Sequence, residues 1–122
     1  MATFVLVHGA WHGSWCWKRV RSALRQAGHE VFTPTLTGIG ERSHLLAQTV
    51  DLNTHTLDVL NLILWEELDD VVLCGHSYGG MVVSGVAGLF SAARRSTPAS
   101  RRTRTRTLVS FAEPRLLSAL RR

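Results

Sequence analysis

The stretch Val71-Val72-Leu73-Cys74-Gly75-His76-Ser77-Tyr78-Gly79-Gly80-Met81 decides how the rest of the chain is read. Val71 to Cys74 is a short continuous apolar run, which suits a strand buried on both faces of a parallel sheet. Tyr78 to Gly88 opens a helix. Between them, Gly75-His76-Ser77-Tyr78-Gly79 matches the pattern G-x-S-x-G. On a sharp strand-to-helix turn such a Ser is held in a strained backbone conformation, and its hydroxyl projects from the C-terminal edge of the sheet. Glycines two residues to either side leave room for the crowded turn. The helix that follows points its positive end at the Ser, and the Tyr78 N–H can stabilise an oxyanion. With Gly and Ser each near 7% of residues, about 0.04 chance matches are expected in this length. The competing reading is a glycine-rich turn with an idle Ser, and the strand and helix on either side of the match argue against it.

Upstream, Phe4-Val5-Leu6-Val7 is a second apolar run, bounded by His8-Gly9. The loop after an early strand is where a second oxyanion donor belongs, which puts the Ala10 N–H beside the Tyr78 N–H as a candidate pair. Ser14 is placed to cap a helix whose apolar positions Trp17, Val20, Ala23, Leu24 and Ala27 fall at helical spacing, with Gly28 as its stop. His29 to Thr33 reads as a strand ended by Pro34, and Thr35 to Val50 as a loop. Asn53 or Thr54 caps the next helix, with Leu57, Leu60, Leu64 and Leu68 on one stripe. Strand and helix alternate three times over short connections. That order predicts an α/β fold with parallel strands, flanking helices and right-handed crossovers.

The chain has 122 residues, one domain's worth, and its 45% hydrophobic and 19% charged residues exclude a wholly disordered polymer. Its net charge of +5 divides sharply, with −3 on residues 1–88 and +8 on residues 89–122. The expected organisation is therefore a partial α/β domain over 1–88 and an atypical Arg-rich tail over 89–122. Arg94 to Thr107 is almost all Arg, Ser, Thr, Pro and Ala, which predicts disorder. Thr107 to Ala112 suits a short strand and Pro114 to Arg122 a short amphipathic helix. Cys16 and Cys74 are expected to make neither a disulfide framework nor a metal site, and the short N-terminal apolar run is not expected to act as a signal peptide; both readings predict a cytoplasmic chain. The apolar window Val71 to Phe90 is broken by His76, Ser77 and glycines, which excludes a membrane span.

Several separated motifs now agree in order and spacing: His8-Gly9-Ala10-Trp11-His12-Gly13-Ser14-Trp15-Cys16-Trp17, Ala27-Gly28-His29-Glu30-Val31, Leu36-Thr37-Gly38 and Gly75-His76-Ser77-Tyr78-Gly79-Gly80-Met81. Over residues 3–88 the sequence resembles the α/β-hydrolase superfamily, in the branch of plant methyl esterases of the salicylate-binding type, hydroxynitrile lyases and bacterial relatives. The resemblance implies Ser77 as nucleophile, the Ala10 and Tyr78 N–H groups as oxyanion hole, and hydrolysis of small hydrophobic or aromatic carboxylic esters through an acyl-enzyme. Gly9 and Trp11, on the same loop, are candidate substrate contacts. No metal or organic cofactor is implied. The lyases of this branch carry Thr where this chain has Gly9, which favours an esterase.

The departures from the pattern are as specific as the matches. A serine hydrolase needs a base for the Ser proton and a carboxylate to orient that base, in the chain order Ser, Asp or Glu, His. After Ser77 this sequence holds no His and no Asp, and Glu113 is its sole acid. His76 diverges from its neighbour's hydroxyl; His8 and His12 lie near the oxyanion loop and are read as structural rather than as substitute bases. The resemblance stops near Gly88, so the chain is expected to be a truncated, weakly active or inactive hydrolase. A shifted reading frame explains the Arg/Ser/Thr/Pro/Ala tail better than a functional short paralogue or a second chain supplying the missing half. The alternative function is a non-catalytic protein whose basic tail contacts anionic partners. The tail lacks the interleaved aromatics of nucleic-acid modules, which argues against DNA or RNA. Sheet edges left open would favour homo-oligomers or pairing with another chain. Gly38-Ile39-Gly40 lacks the third glycine of a dinucleotide loop, and His8 and His12 lack an interleaved acidic ligand for zinc. Trp11, Trp15 and Trp17 are expected to pack the first helix against the sheet.

Overall fold

A computed structural model describes residues 1–96 and 104–110. Four strands, β1 (Thr3–Val7), β2 (Glu30–Phe32), β3 (Val71–His76) and β4 (Thr105–Ser110), form one sheet in the order β2-β1-β3-β4. All three pairings are parallel, with Val5 opposite Leu73 and Leu73 opposite Thr107. The helices are α1 (Lys18–Gln26), α2 (Leu52–Trp65) and α3 (Tyr78–Ser96), with short 3-10 turns at Ser14–Trp17 and Gly40–Leu45.

Period-2 alternation in β1 divides the core between two faces. Val5 and Val7 join Val59, Ile63, Val82 and Val86 beneath α2 and α3, while Phe4 and Leu6 join Trp17, Val20 and Leu24 beneath α1. Both faces of the central strands are thus covered, as a continuous apolar run requires. Cys74 lies in the second cluster, and burial pushes its thiol up to about 12.

Several details differ from the sequence expectations. Ser14 does not cap α1: the chain enters through a 3-10 turn, and the Ser14 hydroxyl instead meets the Thr33 hydroxyl at 2.7 Å. Arg21 donates to both hydroxyls. The cap of α2 is Asp51 rather than Asn53 or Thr54; Thr54 answers it from the third helical position in a reciprocal capping box. The leucine stripe is not the buried face of α2. Leu57 and Leu64 are exposed, Leu60 packs partly buried against the core, Leu68 is buried in it but past the helix end, and His55, Thr56, Val59 and Ile63 turn inward. Of the three tryptophans near the first helix only Trp17 is buried, and Trp11 is 92% exposed.

The helix α3 continues through Gly88 to Ser96. Strand β4 starts two residues before the expected Thr107, so Thr105 and Arg106 are strand where disorder was expected. It is anchored at its start by the Arg104 N–H on Asp69 and by the exposed Arg106–Asp70 pair at 3.7 Å. Arg94 to Ser96 are helix rather than disordered, Thr107 is strand, and residues 97–103, the end of the expected strand at 111–112 and the expected helix Pro114 to Arg122 fall outside the described residues. Among the described residues no helix is long and apolar enough to cross a membrane, and Cys16 and Cys74 form no disulfide.

Candidate active site

Ser77 stands between the last residue of β3 and the first of α3, with φ at 52°, in the left-handed region that an L side chain seldom enters. Its side chain is exposed at the C-terminal edge of the sheet. The turn is closed by the Gly80 N–H donating to the Ser77 carbonyl at 2.9 Å. A Cβ at Gly75 would run into the Gly79 carbonyl and stand 2.6 Å from the Gly80 nitrogen. At Gly79 it would strike the Val7 carbonyl oxygen, because the first turn of α3 is pressed against the end of β1. The glycines of G-x-S-x-G are therefore required by backbone contact on both sides of the Ser.

The loop after β1 lies against this turn. A Cβ at Gly9 would stand 3.3 Å from the Ser77 Cβ and 3.1 Å from the His76 carbonyl oxygen. Gly9 to His12 forms a tight turn, with the His12 N–H reaching the Gly9 carbonyl at 3.4 Å and Trp11 at φ 65°. The structure therefore brings Gly9 onto the Ser77 turn. It leaves Ala10 exposed on the same loop, and Trp11 exposed beyond it.

The histidines sort by their hydrogen bonds. His8 is fully buried; the Leu36 N–H donates to its Nε2 at 3.0 Å, so Nδ1 carries the proton and donates to the Gly9 carbonyl at 2.8 Å. Burial lowers its pKa against the opposing pull of the Gly9 carbonyl and Glu41. With both nitrogens committed, His8 holds the loops together and has no lone pair for a Ser proton. His12 stands edge-on to His76, ring centres 6.4 Å apart, and its Nδ1 has no partner among the described residues. His29 accepts from the Ala2 N–H.

A further polar chain lies behind the turn. The Tyr78 hydroxyl and His55 Nδ1 are 2.7 Å apart, and His55 Nε2 is 2.8 Å from the Thr37 carbonyl. A carbonyl accepts only, so Nε2 carries the proton and Tyr78 donates to Nδ1. Asp58 in turn accepts from the Thr37 N–H and hydroxyl, each at 2.7 Å. Burial raises the Tyr78 pKa, with the Asp51 charge adding to it. Sequence reading missed His55, Thr37 and Asp58. The signal was the register of α2: His55, Val59 and Ile63 are spaced by four, and a His on the Val/Ile face points inward. On the other side of the site, Thr35 donates to Glu41 and accepts from the Ser14 N–H, which ties the Gly40–Leu45 turn to the loop after β1. That contact holds the Glu41 carboxyl below its usual range. Among the described residues no group of three His, Cys, Asp or Glu side chains is arranged to hold a metal ion.

A parallel sheet whose third strand ends in an exposed, positive-φ Ser at a helix N-terminus is the architecture of α/β hydrolases. The family profile described as "Alpha/beta hydrolase family" matches residues 4–122, and the chain belongs to that family. It is 64% identical over 87 residues to a carbendazim hydrolyzing esterase of Nocardioides sp. (strain SG-4G), covering 71% of this chain and 36% of that protein. An alpha-hydroxynitrile lyase of Arabidopsis thaliana is 37% identical over 91 residues, covering 73% of this chain and 35% of the lyase. Among solved structures, an extracellular α/β-hydrolase from a Paenibacillus species superposes with a TM-score of 0.72 at 31% identity, covering 92% of this chain and 42% of that one. The chain thus spans about a third of the length of the curated relatives it matches.

Proposed function

We propose that this chain carries the nucleophile and oxyanion half of a carboxylic-ester hydrolase. Ser77 Oγ attacks the ester carbonyl carbon, and the Ala10 and Tyr78 N–H groups receive the developing oxyanion. The C–O bond to the leaving group then breaks, the Ser proton leaves with the alcohol, and water hydrolyses the acyl-enzyme. The observation that carries this reading is the exposed Ser77 at φ 52°, with Gly9 of the neighbouring loop against its Cβ. The esterase among its relatives supports the ester class. Exposed Trp11 beside the loop supports a hydrophobic or aromatic acyl group.

The proton shuttle is the part these 122 residues do not supply. No His or Asp follows Ser77, and His8 is committed on both nitrogens. Attack by an unassisted Ser hydroxyl is slow, since a positioned base contributes roughly 10²–10⁴-fold. The 122 residues alone are therefore expected to show negligible turnover of p-nitrophenyl esters. Labelling the purified chain with a fluorophosphonate, beside its Ser77→Ala variant, tests both halves of the proposal. Slow labelling that disappears with Ser77→Ala supports the nucleophile. Rapid Ser77-dependent labelling would overturn the inactivity, and labelling indifferent to Ser77→Ala would overturn the nucleophile itself.

A further inference from the structure

The chain of polar contacts behind the turn has no part in the attack on an ester, yet it ends on the residue next to the nucleophile. Tyr78 is the first residue of α3, and its N–H is one of the groups a helix leaves unbonded. Where that N–H points depends on how firmly the first turn of α3 is fixed. Ser77 is strained, and the turn borders solvent. Gly79 presses the backbone of the turn onto the end of β1, and the Tyr78 side chain offers a second hold from α2.

His55 is placed to supply that second hold. It is 6% exposed, on the buried face of α2, and both ring nitrogens are used. One accepts from the Tyr78 hydroxyl, and the other donates to Thr37, whose N–H and hydroxyl are fixed in turn by Asp58. The two rings meet edge to face at 5.6 Å. A Tyr hydroxyl can swing through solvent; this one is bound to an imidazole that has a single orientation, because its other nitrogen faces a carbonyl. We infer that His55 is a positioning residue for the Ser77 turn, holding Tyr78 by its hydroxyl so that the Tyr78 N–H stays directed at the reacting oxygen. This rests on the esterase reading for what the N–H receives, but the restraint itself is a property of the chain at rest.

The test compares Tyr78→Phe, His55→Ala and His55→Gln with the unaltered chain by backbone 15N relaxation. Gln keeps a donor for Thr37 and an acceptor for Tyr78, whereas Ala keeps neither. The order parameters at Tyr78 and Gly79 are expected to fall from the rigid range of about 0.85 toward about 0.6 in Tyr78→Phe and His55→Ala. Those of Val5 and Leu73, in the middle of the sheet, should not move, and His55→Gln should restore the values at Tyr78. A merely stabilising contact would leave all native-state order parameters unchanged, and that result would overturn the inference. So would His55→Gln behaving like His55→Ala, or collapse of the fold in Tyr78→Phe, which removes one oxygen atom. Should His55→Ala alone fail to fold, Tyr78→Phe and His55→Gln decide. Fluorophosphonate labelling of Ser77 in the same samples separates the two claims. Absence of any Ser77 labelling counts against the esterase reading, while the order parameters still decide the restraint.

Discussion

Ser77 holds a backbone conformation that costs on the order of 1–3 kcal/mol for a side chain other than Gly, and it persists only where neighbours over-determine it. Here they do so through backbone packed on backbone at Gly75 and Gly79. The two glycines are not interchangeable with others in the chain. At Gly88, inside α3, an added Cβ meets nothing within 4 Å. Gly75→Ala is therefore expected to destabilise the protein by about 1–3 kcal/mol through overpacking. Gly88→Ala is expected to stabilise it by about 0.5–1 kcal/mol through helix propensity. Urea unfolding of both variants reads the opposite signs, and a neutral Gly75→Ala would mean that the turn is looser than its geometry shows. The position of Ser77 was legible in the sequence because its strain needs glycines at fixed offsets. The role of Ser14 was not, because a Ser before a helix has the same appearance whether its hydroxyl caps the helix or, as here, joins Thr33 and Arg21.

Among the elements, β1 and β3 were readable for a plain reason: strands covered on both faces need uninterrupted apolar runs. Helix α2 was misread because it is apolar on more than one side. Its leucines at 57, 60 and 64 and its inward residues at 55, 59 and 63 have the same helical spacing, so periodicity cannot choose between them. The choice is made by polar residues that are satisfied indoors, His55 by Tyr78 and Thr37, and Thr56 by the Leu52 carbonyl at 2.9 Å. A hydropathy rule places such residues outside, and it places the leucines inside with the same confidence. Adjacent substitutions separate the two faces. Ile63 is 1% exposed and Leu64 is 54% exposed. Ile63→Ala should cost about 2–5 kcal/mol, whereas Leu64→Gln should stay within about 0.5 kcal/mol. Equal losses at the two positions in thermal or urea unfolding would return the leucine stripe to the core.

Over the whole molecule, His8 is the point where three segments meet: it directly follows β1, donates to the loop beside Ser77, and accepts from Leu36 ahead of the Gly40–Leu45 turn. Only the neutral ring can accept from Leu36, and burial enforces that form by lowering the His8 pKa from its ordinary 6.5. Above 6.5 both folded and unfolded chains hold the ring neutral, so its contribution to stability is fully present. As pH falls below 6.5 the unfolded chain binds the proton first, and stability declines until the folded pKa is passed. The carboxylates act later. Glu41, through Thr35, and Asp51, through the Thr54 N–H, are both held below their ordinary values of 4.5 and 3.8. Their contribution is present above those values and is lost as pH falls through the lower folded ones. Acid destabilisation should therefore come in two arms, a first that opens as pH falls below 6.5 from His8 and a second below about pH 4.5 from the carboxylates. Urea midpoints followed by tryptophan fluorescence at pH 7, 5 and 3.5 resolve them. A midpoint that stays flat from pH 7 to 5 would show that protonating His8 leaves Leu36 and the loop over Ser77 undisturbed, and that the three segments are joined by something other than this imidazole.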